Sequence, residues 1–270
     1  MEILILIFIF LLGTIIGSFL NVIIYRLNTG KSIVYGHSIC MTCGKSLRWY
    51  ELIPVFSFLV QSGKCRRCKS SISLQYPLVE LGTGAIFSLT AYHFLSLTLI
   101  SYWSFVFFIT LFLLIFSIFI VIIFYDIRHK IIPDVLVYSF ITISFLSLFV
   151  SSQSGLLSLS LPSLWNILSG PILAIPFAFL WFISKGKWMG FGDVKLILGI
   201  GWMFPLSSAI SSIIISFWIG AIAGLFIMFF SKKKIKMTTE IPFAPFLILG
   251  ALIVFFFNID IYSLAMLFQV

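Results

Sequence analysis

Charge is what this chain has least of. Of its 270 residues only 9% are Asp, Glu, Lys or Arg, and just eight are acidic. A soluble domain carries roughly 25% charged residues, so a water-soluble globule is excluded. Histidine is scarce at three residues and cysteine at four, which leaves few side chains for metal or nucleophilic chemistry. Alternating polarity is missing too, and that argues against a membrane β-barrel; with no water to satisfy the backbone in lipid, helices remain. No internal repeat is evident. What fills the chain is apolar: 61% hydrophobic residues, 18% aromatic, 32 of them Phe, with a mean hydropathy of +1.20. A disordered chain is excluded by the same composition.

A bilayer crossing takes about 20 apolar residues. Apolar runs fall at about 3–26, 78–97, 99–125, 135–151, 164–184, 190–207, 208–230 and 243–268. They predict an all-α polytopic membrane protein of about eight transmembrane helices. The weakest points are the sixth run, interrupted by Gly199, Gly201 and Pro205, and the junction near Leu97. The first begins Met1-Glu2 without preceding basic residues and is longer than a signal h-region, so it reads as a retained span. The corresponding division is a first helix over 1–27, a loop over 28–76 and a seven-helix core over 77–270.

The 17 basic residues fall in four sets. Eight lie between Arg26 and Lys69. Arg128 and Lys130 follow the third run. Lys185, Lys187 and Lys195 stand between the fifth and sixth, and Lys232, Lys233, Lys234 and Lys236 follow the seventh. The intervening connections carry none. This alternation is the positive-inside pattern, and it sets the N terminus outside and the charged loops in the cytosol. For Lys232–Lys236 the plain reading is topology and contact with lipid headgroups. Nothing in the pattern calls for nucleic acid.

All four cysteines sit in the first charged loop, as Cys40-Met41-Thr42-Cys43 and Cys65-Arg66-Arg67-Cys68. Two C-x2-C pairs can close four thiolates tetrahedrally on Zn²⁺, a structural site with no open position. A reducing compartment weighs against disulfides. The alternative is four reduced thiols in a small core. Either way the spacing speaks for folding a small loop and says nothing of its activity.

Eight acids can be taken one at a time. Glu2, Asp260 and Glu240 read as interfacial. Glu51 lies inside the cysteine loop and Glu80 opens the second run. Asp134, right after Pro133, reads as a cap for the fourth helix. Asp126 ends the third run and Asp193 opens the sixth, within Gly190-Phe191-Gly192-Asp193. Those runs cross in opposite directions, so topology brings both carboxyls to the cytosolic end. Acids at membrane depth are costly and point to function. Two close carboxyls share one proton, as an aspartyl peptidase requires. Helix dipoles favour Asp193 as the resting base and Asp126 as the protonated partner. Simpler readings stand beside this one: Asp126 pairing with Arg128 or Lys130, and Asp193 pairing with Lys195 or capping its helix. Carriers also use intramembrane acids, so a proton-coupled carrier with a regulatory zinc loop is the competing reading, and a docking scaffold a third.

At this point the residues resemble a family, the bacterial type IV prepilin peptidases. Gly17-Ser18-Phe19-Leu20-Asn21-Val22-Ile23-Ile24-Tyr25-Arg26-Leu27 is similar to its first motif. Arg48-Trp49-Tyr50-Glu51-Leu52-Ile53-Pro54-Val55-Phe56-Ser57 lies between the cysteine pairs, and Tyr76-Pro77-Leu78-Val79-Glu80-Leu81 follows them. Asp126 with Pro133-Asp134, the G-x-G-D of Gly190–Asp193, and Ile241-Pro242-Phe243-Ala244-Pro245-Phe246-Leu247 complete the order. The resemblance implies an inner-membrane enzyme with Asp126 and Asp193 catalytic. Its substrates would be prepilins or pseudopilins, cut after the Gly that ends a short basic leader. It further implies S-adenosylmethionine as donor for N-methylation of the new terminus. Glu51 and Glu80 are the acids available to hold the leader or the amine; Gly82-Thr83-Gly84 in an apolar helix reads as packing. Two residues depart from the pattern: Met41 where Pro is common, and Ala244 where Gly is common.

Overall fold

The computed structural model describes residues 2–153, 156–230 and 242–266. Lys232–Lys236, Glu240 and Ile241 lie outside the described residues. The chain forms two compact units, 1–121 and 122–270.

The first unit holds α1 (Glu2–Arg26), a 3-10 turn (Trp49–Glu51), α2 (Phe56–Val60) and α3 (Gln75–Phe94), which runs on through a 3-10 turn (Leu95–Leu99). It closes with most of α4 (Tyr102–His129). Lipid tails are as apolar as Leu, so helices in a membrane associate through close packing of small residues. α1 and α3 do this with Gly13, Gly17 and Gly84. A Cβ at Gly13 would stand 2.8 Å from the Gly84 Cα, and one at Gly17 would stand 2.8 Å from the Glu80 Cα. Gly13 and Gly17 are four apart, one turn on one face. Ile9, Phe87, Ala91, Phe105 and Ile109 form the buried core beside this seam.

The second unit begins within α4 and continues with α5 (Asp134–Ser147), a hairpin of β1 (Val150–Gln153) and β2 (Leu156–Leu159), then α6 (Leu164–Ser184) and α7 (Phe191–Met203). After these come α8 (Leu206–Phe230), α9 (Ala244–Phe257) and α10 (Ile261–Met266). α7 packs on α5, α6, α8 and α9, and Leu196, Ile197 and Ile200 on it are fully buried. Its glycines, which weaken the run as sequence, are its contact points. Gly199 meets the Phe140 ring, and a Cβ at Gly201 would lie 2.7 Å from the Gly170 Cα. The Ser169 hydroxyl donates to the Gly201 carbonyl at 2.6 Å.

Every predicted run contains a helix, but their lengths differ. Among the described residues five helical stretches, Glu2–Arg26, Gln75–Leu99, Tyr102–His129, Leu164–Ser184 and Leu206–Phe229, are long and apolar enough to cross a membrane. α5, α7 and α9 have 14, 13 and 14 residues. At 1.5 Å per residue that is about 20 Å, short of a hydrocarbon core about 30 Å thick. The fourth run stops early because Val150 starts the hairpin. The last run is broken at Asn258, whose φ of 51° takes the left-handed form that ends helices. Asp260 then caps α10: its carboxylate accepts from the Ser263 N–H at 2.8 Å. That hydrogen bond pulls the Asp260 carboxyl below its ordinary pKa.

The seam between α1 and α3 has a direct check. Gly13→Leu is expected to lower stability by about 1–3 kcal/mol, since the backbones cannot separate without losing their contacts. Gly82→Leu, with nothing within 4 Å of its Cβ position, should change it by less than about 0.5 kcal/mol. Thermal unfolding of the purified protein reads both.

Candidate active site and cysteine cluster

The two cysteine pairs fold into like turns. In the first, the Gly44 N–H donates to the Cys40 carbonyl and the Cys40 N–H to Lys45; in the second, the Lys69 N–H donates to Cys65 and the Cys65 N–H to Ser70. Each turn has a left-handed residue four positions after its first cysteine, Gly44 at φ 68° and Lys69 at φ 59°. The 40–43 turn closes around Met41 as the other closes around Arg66, so proline is dispensable there. The four sulfurs lie within 4.8 Å of one another, with Cys40 and Cys68 Sγ 3.8 Å apart. That exceeds a disulfide, and all four cysteines are free. A tetrahedral Zn²⁺ at about 2.3 Å from each sulfur spaces them by about 3.8 Å, so the donor set fits that ion. Backbone N–H groups of Cys43 and Thr42 aimed at its sulfur bring the Cys40 thiol down to about 6, toward the thiolate a metal needs.

Glu51 lines the hollow beside these sulfurs with Lys45 and Arg67, and its Oε2 accepts from the Arg48 N–H at 2.8 Å. Arg66 lies over the Tyr50 ring at 5.1 Å, tying the 3-10 turn to the second cysteine turn. Glu80 sits elsewhere, buried on α3. Its Oε2 accepts from the Val55 N–H at 2.7 Å, and the Ser18 hydroxyl also bonds its carboxyl. Val55 has φ 59° and ψ −52°, and the Phe56 N–H reaches back to the Pro54 carbonyl. This is a γ-turn of the strained, positive-φ kind on a β-branched residue, at a cost of about 1–3 kcal/mol. Gly84 packs on Thr14 and Phe10, as expected of a packing glycine. Among the described residues no strand, glycine loop and helix combine into a nucleotide cradle, and no residue set is assigned to S-adenosylmethionine.

The second unit brings Asp126 and Asp193 together. They are 5% and 8% exposed, and near enough for their charges to repel. Asp193 is the third residue of α7, where its carboxyl accepts from the N–H of the N-cap residue Gly190. Cap and acid pair are thus one side chain in two roles. Asp126 stands in the last turn of α4, but its carboxyl accepts from the Ala244 N–H, the first residue of α9. Both acids therefore face a helix N-terminus, one their own and one borrowed, and dipoles no longer separate them. Ala244 itself is fully buried, so its methyl group is accommodated.

The charges around the pair differ from expectation. Lys195 bonds Asp134 at 2.6 Å, not Asp193, and its ammonium lies over the Tyr138 ring at 4.6 Å. Asp134 is accordingly no cap. The N-cap of α5 is Pro133, and Asp134 is the first helical residue with its carboxyl drawn to Lys195. Of the two glycines flanking Phe191, Gly192 is needed for space: a Cβ there would meet Ile132 Cβ at 3.0 Å. Gly190, at φ −71°, would meet only ordinary contacts.

Two buried carboxyls set side by side among long apolar helices define a multi-pass membrane protein built around an acid pair. The comparisons make the family specific. Residues 11–94 match the model of the Bacterial Peptidase A24 N-terminal domain, and residues 113–225 that of the Type IV leader peptidase family. A prepilin leader peptidase/N-methyltransferase of Stutzerimonas stutzeri is 31% identical over 87% of this chain and 85% of its own. One of Xanthomonas campestris pv. campestris is 33% identical over 93% and 90%. One of Myxococcus xanthus reaches 51%, over 30% of this chain and 24% of its own. No solved structure matches. The chain belongs to the Type IV leader peptidase family.

The start of α7 should resist bulk at one glycine and tolerate it at the other. Gly192→Val is expected to cost about 1–3 kcal/mol through its clash with Ile132. Gly190→Ala should stay within about 0.5 kcal/mol. Thermal unfolding of the two variants distinguishes them.

Proposed function

We propose that the protein is an aspartyl endopeptidase of the bacterial inner membrane. In this reading it removes the basic leader of type IV prepilins or pseudopilins after Gly, at the cytosolic face, and then N-methylates the new terminus. The observation that carries it is the meeting of Asp126 and Asp193, buried and each held by a helix N-terminal amide. The names of the relatives support the substrate and the second activity. All eight apolar helices then belong to the membrane domain, with the short helices α7 and α9 largely buried among their neighbours. The N terminus lies outside and the division is 1–27, 28–76 and 77–270.

The chemistry follows from one proton shared by two acids. The ionised carboxylate takes a proton from water as the water oxygen bonds the scissile carbonyl carbon. The protonated partner donates to the carbonyl oxygen. Collapse of that intermediate breaks the C–N bond: the leaving amine takes up the proton first removed from water, and a hydroxyl proton of the intermediate returns to the partner carboxylate, which restores the shared proton. The amides of Gly190 and Ala244 keep the carboxyls oriented throughout. S-adenosylmethionine would supply the methyl group, with Glu51 and Glu80 the candidate acids on the loop side to hold the leader or the amine; their carboxyls accept from the Arg48 and Val55 N–H groups. Zn²⁺ on Cys40, Cys43, Cys65 and Cys68 would fold the loop without entering the reaction.

Co-expression with a prepilin tests the peptidase reading. Asp126→Asn and Asp193→Asn should each cut leader removal by about 10²–10⁴-fold, whereas Asp134→Asn should leave most of it. Full cleavage by both of the first two variants would sink the mechanism.

The metal is checked separately by elemental analysis. Purified protein should carry roughly one zinc per chain, as expected for a four-thiolate site, and a Cys40→Ser/Cys65→Ser variant almost none. Equal zinc in the two would remove it from the cysteine cluster.

A further inference from the structure

α2 is a short helix whose apolar side is left largely uncovered among the described residues. Phe56, Leu59 and Val60 are 61%, 68% and 54% exposed, and Ile53 just before them is 38% exposed. Water is a poor partner for four such side chains in a row of eight residues. Their position argues for another. Val55, the residue before α2, is tied through its N–H to Glu80 at 2.7 Å. Glu80 lies in the second turn of α3, about 7.5 Å along the axis from Gln75. Leu74, just before α3, and Leu78 and Leu81 on it are exposed around that level, as suits a helix entering lipid. The Val55 bond therefore ties the start of α2 to the first turns of a membrane-crossing helix, while its end leads into the second cysteine turn, where the Gly63 N–H donates to the Phe58 carbonyl.

The flanks agree with this placement. Lys45 and Arg48 precede the apolar segment, and Lys64, Arg66 and Arg67 follow it. An apolar face between basic shoulders suits the boundary between anionic headgroups and acyl chains. The strained turn falls at the same residue, whose N–H is the donor to Glu80.

We propose that α2 is an interfacial anchor: Phe56, Leu59 and Val60 enter the headgroup–acyl boundary of an anionic bilayer, held at that depth by the hydrogen bond from Val55 to Glu80. Glu80 is then a positioning residue. The proposal rests on the membrane-spanning reading of α3, and the test separates the two.

The experiment places p-benzoylphenylalanine singly at Phe56, Leu59, Met41 and Leu89 of the full chain, reconstituted in vesicles of phosphatidylcholine and phosphatidylglycerol. After irradiation, mass spectrometry counts lipid adducts. Leu89, 50% exposed on α3, reports whether that helix spans. Positions 56 and 59 should give several-fold more lipid adduct than position 41 and approach position 89. Adducts at 89 with none above the level of 41 at 56 and 59 would overturn the anchor alone. Cross-links from 56 or 59 into another segment of the chain, or into a co-reconstituted prepilin, would also overturn it. Glu80→Leu should lower the adduct at 59 several-fold while that at 89 holds. Glu80→Gln, whose amide oxygen can still accept from Val55, should restore it. No change at 59 in Glu80→Leu would remove Glu80 from the role.

Discussion

An acid inside an apolar bundle must be given donors, and here the donors are the first amides of helices. Asp193 takes the N–H of the residue that begins its own helix, and Asp126 takes the first N–H of α9. Much of the second unit can be read as the means of bringing those two amides and two carboxyls to one place. α7 has to start beside the link between α4 and α5, and Gly192 opens the space against Ile132. α9 has to start at Ala244, and its N-cap Phe243 packs on Phe217 and Phe246.

Close approach of backbones is the recurring device that serves this end. Gly13 and Gly17 let α1 lie on α3, Gly199 and Gly201 let α7 lie on α5 and α6, and Gly250 seats α9 against Ser216. In a medium where burying another Leu gains nothing, contact area comes from removing side chains. The basic loop uses the opposite economy. Too small for a core of its own, it gathers four sulfurs and a few hydrogen bonds. The helices and the cysteine loop therefore solve the problem of cohesion with different chemistry, while the boundary between the two units falls inside the single helix α4.

Much of this was legible from residues alone, because the chain has so few polar ones. With eight acids, sorting by position was enough to single out Asp126 and Asp193, and the C-x2-C spacing was enough for the cysteine cluster. What could not be read depended on partners remote in sequence. The amide of Ala244 carries no side-chain signal, so its bond to Asp126 was invisible, and the dipole argument that separated the acids failed with it. Lys195 stood two residues from Asp193 and looked like its partner; on a helix that spacing points the two apart, and Asp134 received it. The glycines of the sixth run looked like interruptions because sequence shows the missing side chain and not the neighbour that occupies its space. Asn258 and the hairpin at Val150 were hidden within apolar runs, where turn residues are scarce and hydropathy stays high.

The bond from Ala244 to Asp126 has a meaning for how the molecule is made. A ribosome delivers the chain from its N terminus, so the cysteine loop is complete early, and Asp126 and Asp193 follow in turn. The amide that orients Asp126 arrives only with α9, after both acids. Until then the acid pair lacks one of its two supports. A nascent chain thus holds both acids before it holds the second donor, and the pair is completed only when α9 has been made.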